Sequence, residues 1–388
     1  MMLWDRRFVA YAFICLYLLL LLSSCSTDIR ELNQVSIVMA TGIDWDQDTN
    51  KHQITVYTLQ PTSKGTNATQ QDSLNEWLGS ATGNSIMESA QHLRFRASKK
   101  LFWFHNRIFI ISRDAARHSM PEIIDFLQRN REIRSTSLVL ISDVNAEQIL
   151  KTKPETQDLV VNELFGMIRN QDETGNSLGI SVKDLINKDA NPTQGYITGR
   201  VVTRTPKEKS EPVLALHGSA LLQKGTFVNW LSSDETAIVR LLTDPDKDKV
   251  QTTFVVKDQE HDFDSITAQV AIKSRKIRSY FVGDQPEMDI YFDFTCIINE
   301  LKHNQTANQM NIPALEKVIK KSIQQNFQHV ITKAQRKVKV DYLEFGNHLY
   351  QHHPNKWKQI QPKWNTVFEK MPVHVTVNLT IWNTGNVQ

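Results

Sequence analysis

Three groups of side chains have types and spacings that could do chemistry. Asp44, Asp46 and Asp48 alternate in one short polar run, as the first ligands of a calcium loop do. Such a loop also needs glycine at its sixth position and a bidentate glutamate at its twelfth. Thr49 and Thr55 stand there, so the run reads as a polar hairpin turn. His348, His352 and His353 could place two imidazoles four apart on one helix face. Zinc would need a third ligand and an outer shell to orient them, so they read as surface histidines. The third group is the thiols, and the chain has three. Cys296 sits in the alternating run from Ile290 to Ile298 and reads as a buried structural thiol. Cys15 lies inside an apolar stretch. Cys25 follows Leu22-Ser23-Ser24, where a thiolate could act as the nucleophile that forms a thioether.

The elements before Cys25 must position it. Arg6 and Arg7 form a basic start, and Phe8 to Leu22 carries no charge. This is the layout of a secretory signal. A helix of that length spans about 22 Å, short of a hydrocarbon core of about 30 Å. With small residues before the Cys, the segment resembles a bacterial lipobox. That resemblance implies a signal peptide over residues 1–24. It implies S-diacylglycerol and an N-acyl group on Cys25, the one site residue expected. Two acyl chains hold a protein on a membrane where one is marginal.

The remaining chain is long enough for two or three domains. Loss of residues 1–24 removes two Arg and one Asp, leaving a formal charge of +2, too little for a strong nucleic-acid field. Cys15 would leave with the signal and Cys25 would carry lipid, so no disulfide within the mature chain is expected. Phosphate loops, His-Glu-x-x-His and Cys-x-x-Cys are all missing from the sequence. No enzyme, cofactor or metal is expected.

Strands are expected at Val35–Ile43, Gln53–Leu59, Lys100–Ile111, Ser135–Ser142, Gly195–Arg204, Val213–Gln223, Ile266–Ile277 and Met288–Ile298. Helices are expected at Ile86–Phe95 and Pro121–Gln128, with two or three more in Asn145–Asn187. Another should start at Ser233 or Asp234, either of which could cap it. From Ile312 to Val338 apolar residues recur at spacings of three and four, which predicts one long helix. Its other face holds six Lys or Arg against Glu316. That face could be solvated, or could meet anionic lipid or an acidic partner. Val373 to Ile381 alternates and predicts a half-buried, antiparallel strand. The fold class expected is α+β: several modules, mixed and antiparallel sheets, packed helices and one long helix in the C-terminal domain.

The run from Val340 to Phe368 resembles the Ger(x)C family, lipoprotein C subunits of nutrient germinant receptors. Asp341, Phe345-Gly346, Pro354, Trp357-Lys358, Trp364 and Phe368 carry the likeness. Gly218-Ser-Ala, Asn229-Trp-Leu and Asp234-Glu-Thr add to it in mid-chain. Phe126-Leu, Arg129 and Arg131-Glu-Ile-Arg134 do so in the N-terminal half. Gly42-Ile-Asp44, Asp28 and Arg30-Glu31-Leu32 agree near the start. The family often has Trp-Asp after the lipidated Cys, where this chain has Ser26-Thr27-Asp28.

The resemblance implies an N-terminal region over 25–212 and a C-terminal domain over 213–388. It implies a non-enzymatic subunit, lipid-anchored on the outer face of the spore inner membrane and required for the germination response to nutrients. Receptor A and B membrane subunits and membrane lipid would be its partners. The alternative is a solute-binding lipoprotein delivering a small nutrient to a transporter. The aromatic residues from Tyr342 to Phe368 could close a core or face a partner.

Overall fold

A computed structural model describes residues 34–60, 75–191, 193–244, 251–257, 263–303 and 312–383. The signal segment, Cys25, Asp28, Arg30, Glu31 and Leu32 lie outside them, as does the loop from Pro61 to Gln71. Described strands β1 (Val35–Asp46) and β2 (Lys51–Gln60) form a hairpin. Its turn is set by Asp46, whose carboxylate accepts from the Asp48 N–H and the Thr49 hydroxyl. β3 (Asn75–Gly83) pairs antiparallel with β2. Ser85 then caps α1 (Ile86–Arg94), accepting from the Glu88 N–H.

The stretch expected to be one strand from Lys100 to Ile111 is two. β4 (Lys100–Phe102) ends in a 3₁₀ turn at Trp103–His105, and β5 (Ile108–Ser112) resumes. Both pair parallel with β1. Trp103 is buried in the turn, so packing of the large indole interrupts a segment that propensity alone would leave extended.

Helices α2 (Arg113–His118) and α3 (Met120–Arg129) lead to β6 (Leu138–Ser142). Next come α4 (Ala146–Lys151), α5 (Val160–Thr174), β7 (Ile180–Ser181) and α6 (Val182–Asp189). β8 (Tyr196–Arg204), β9 (Val213–Gln223) and β10 (Thr226–Leu231) complete a sheet ordered β10-β9-β8-β6-β5-β1-β2-β3, with β4 beside β1 and β7 beside β6. α1, α2, α3 and α6 pack one core on this sheet. α4 and α5 pack another. The polar loop after Arg204 joins β8 to β9 as antiparallel neighbours.

α7 (Ser233–Thr243) is capped by Ser232, one residue before the expected cap. Glu235 returns a bond to the Ser232 N–H, so the two close a capping box. Beyond it lies a second sheet ordered β11-β12-β13-β14. β11 (Gln251–Val256) precedes a hairpin of β12 (Phe263–Val282) and β13 (Gln285–His303), each strand longer than expected. Gly283 takes the left-handed conformation at the turn, with φ 63°.

α8 (Ile312–Thr332) lays Leu315, Val318, Ile319, Ile323, Phe327, Val330 and Ile331 on this sheet. Its last expected turns are instead a π-helical segment, Lys333–Val338, ended by left-handed Lys339. α9 (Phe345–His352), α10 (Pro354–Ile360) and α11 (Trp364–Lys370) follow.

The final strand, β14 (Val373–Asn383), alternates buried and exposed as expected. It pairs parallel with β13, not antiparallel. The chain between them runs through α8 to α11, a crossover long enough to bring it back to the same end of the sheet. The third core joins the two sheets: Ile197, Leu221 and Leu231 of the first meet α7, and α7 meets the second sheet and α8.

Candidate functional site

β1 and β5 run side by side in parallel, with Ile43 opposite Ile111. A cleft of about 790 Å³ opens beyond their carboxyl ends, between the first turns of α1 and α3. Clefts at this end of parallel strands are common ligand sites, because connections diverge there and leave a crevice. β1 delivers the half-buried Trp45 to it. β2 delivers His52, only 5% exposed, with its ring edge-on to the indole at 4.9 Å between centroids. The last turn of α2 supplies His118, stacked with the indole at 6.0 Å between centroids. Ile86, Met87 and Phe126 give the cleft an apolar side.

His52 Nδ1 is screened from solvent and has no hydrogen-bond partner. Burial lowers its pKa below the ordinary 6.5, while the nearby Glu122 carboxylate pulls the other way. The ring is therefore neutral at pH 7 and able to form a bond that the fold leaves unmade. Asp125 and Arg129 on α3 pair at 2.6 Å and cancel. Glu122 lies exposed on the same helix.

A second polar centre lies in the C-terminal unit. Asp341 is 1% exposed. Its carboxylate accepts from the N–H groups of Leu343, Phe345 and Gly346 and from Trp364 Nε1. Burial pushes its pKa up to about 6, against the pull of those four donors. Gly346 faces the Trp357 and Trp364 rings so closely that a Cβ would stand 2.8 Å from Trp357. The two indoles are buried and 5.1 Å apart in T-shaped contact. They belong to separate short helices, with a 3₁₀ turn containing Pro362 between them. Tyr342, Phe345 and Phe368 are buried with them, whereas Tyr350 is exposed. These aromatic residues close a core.

The other candidates from sequence separate. Asp44 is buried and accepts from the Ala146 and Glu147 N–H groups at the start of α4, while Asp46 shapes its own turn. The His348 and His352 rings stack at 4.0 Å, and His353 Nε2 bonds to the Ser279 carbonyl at 2.9 Å. Burial and the two neighbouring histidines push the His348 pKa down to about 4. Among the described residues no three His, Cys, Asp or Glu converge as a metal group. Cys296 is fully buried, which pushes its thiol up to about 11. Sequence reasoning missed Trp45, His52, His118 and Glu122. They come from four elements, and no single spacing links them.

Comparison with known proteins agrees with this fold. A family model for the spore germination protein N-terminal domain matches residues 28–199, and one for the spore germination B3/GerAC-like C-terminal domain matches 217–385. Spore germination protein KC of Bacillus subtilis (strain 168) is 23% identical, covering 92% of this chain and 91% of that one. Spore germination protein GerQC of Bacillus cereus is 22% identical over 79% of this chain and 82% of its own. The crystal structure of the GerBC protein shares the fold, with a TM-score of 0.56, 16% identity and coverage of 89% and 98%. This chain belongs to the Ger(x)C family of spore germination proteins.

Proposed function

We propose that this protein is the non-enzymatic C subunit of a germinant receptor, required for the germination response to nutrients. It sits on the outer face of the spore inner membrane, held by lipid on Cys25. Its partners are the receptor's A and B membrane subunits. The observation that carries this reading is the pair of family matches, in order, across nearly all of the chain after Cys25. No described helix is long and apolar enough to cross a membrane, so the lipid supplies the attachment in this reading. The division into an N-terminal region, 25–212, and a C-terminal domain, 213–388, belongs to the same proposal, and the gap between the two family matches, 28–199 and 217–385, supports it.

A strain lacking this protein, scored for germination on a panel of nutrients, tests the role. Loss of the response to at least one nutrient is expected, with normal germination on every nutrient overturning it. Mass spectrometry of the mature N-terminus tests the anchor: a diacylated Cys25 is expected, and an unmodified or internal Cys25 would refute it.

A further inference from the structure

We propose that the cleft beyond β1 binds a small organic ammonium ion with a compact apolar body. The charge would lie against Glu122 and the Trp45 face, the body against Ile86, Met87 and Phe126, and His52 would take the remaining polar bond. This inference stands apart from the receptor assignment, since it rests on the cleft alone.

Three observations carry it. The cleft, at about 790 Å³, falls in the range of small-molecule sites, which run ~300–1,000 Å³. His52 is 5% exposed and its Nδ1 has no partner. A buried polar atom left unbonded is costly, and a ligand group can relieve it. The charge in the cleft is one-sided. Asp125 and Arg129 cancel, which leaves the formal charge of Glu122 in a cleft that the Trp45 ring also lines, and a carboxylate with an indole favours a cation.

The two helix starts at the cleft would favour an anion, each by about half a charge. That at α1 is already met by its own Glu88, whose carboxylate accepts from the Asn84 N–H at 2.6 Å. At α3 the first turn holds Glu122 itself and Pro121, which has no N–H to offer. The balance at the cleft is negative.

The test is calorimetric titration of the full-length protein in detergent micelles with n-butylammonium, 1-butanol and butyrate. These share a body and differ in charge. Saturable binding of n-butylammonium is expected, at least about tenfold tighter than the other two. Glu122→Gln, an exposed change whose fold is checked by melting, should bring n-butylammonium to the level of 1-butanol. Trp45→Leu should weaken both. The His52 ring nitrogen resonances should move on saturation. Equal binding of the three probes, tighter binding of butyrate, no binding at all, or a preference unchanged in Glu122→Gln would each overturn the proposal.

Discussion

Asp44 and Asp341 are both buried carboxylates that hold backbone N–H groups, yet they hold different amounts of the molecule. Asp44 accepts two backbone bonds from one helix start, at 2.7 and 3.1 Å, with the Ser112 hydroxyl also bonded to it, and so fastens α4 to the ends of β1 and β5. Asp341 accepts four bonds, from a loop, the start of α9 and an indole. Its own carbonyl also accepts from the Gly195 N–H, next to the first sheet. One carboxylate caps a helix. The other gathers an aromatic core and ties it to the neighbouring unit. A buried charge matters by the number of separate segments it satisfies, because each donor left unbonded adds its own cost.

The largest effect expected is from the aromatic core around Asp341. Trp364 is 1% exposed. Trp364→Ala removes its packing and one donor to Asp341, and should cost ~3–5 kcal/mol in urea unfolding. Tyr350→Ala, an exposed ring on the same stretch, should change stability by less than about 0.5 kcal/mol. Equal costs would mean that the core is not centred on the carboxylate.

Asp341→Asn sharpens the comparison through pH. The folded pKa near 6 lies above the ordinary 3.8, so the folded chain holds the proton more tightly between those values. That contribution is full below about pH 4 and is lost as pH rises through 6. Stability of the wild type relative to Asp341→Asn should therefore fall by roughly 1–3 kcal/mol from pH 4 to pH 7. A difference that stays flat, or rises, would contradict a carboxyl raised by burial.

Asp44→Ala should cost less, ~0.5–2 kcal/mol, the usual range for loss of a helix cap. Amide exchange would localise the effect to α4. An effect as large as that of Asp341 would erase the distinction between a cap and a hub.

The two aspartates also mark what the sequence could reveal. Asp44 sits in an obvious acidic run, but its partners Ala146 and Glu147 lie a hundred positions on, and no local pattern points to them. Only Asp46 does what the turn chemistry predicts. The stripe on α8 was legible because seven buried residues repeat a 3.6-residue period. The parallel pairing of β14 was not, since alternation reports which face is buried and says nothing of strand direction. The cleft with Trp45, His52 and Glu122 is assembled by the register of β1, β2 and α3, so it exists only in three dimensions.

The last contrast sets the paired Lys333, just beyond α8, against the lysines near the start of that helix. Lys333 pairs with Glu235 of α7 at 2.7 Å, and both side chains are largely buried. Burial would raise the Glu235 carboxyl, but the bonds from Lys333 and the Ser232 N–H hold it below its ordinary value. Lys333→Gln leaves that carboxylate without its cation and should cost about 1–2 kcal/mol. Lys317 is exposed and Lys320 half-buried on α8, and single surface charges contribute ~0–1 kcal/mol even when paired. Replacing Lys317, Lys320 and Lys321 with Gln together should shift the unfolding midpoint less than Lys333→Gln alone. If that face meets anionic lipid, the triple variant should also bind anionic vesicles more weakly. The deficit should be greatest at low salt and shrink as salt screens the field. A triple variant less stable than Lys333→Gln would place these lysines in the fold. One that binds vesicles as the wild type does at every salt concentration would leave the face merely solvated.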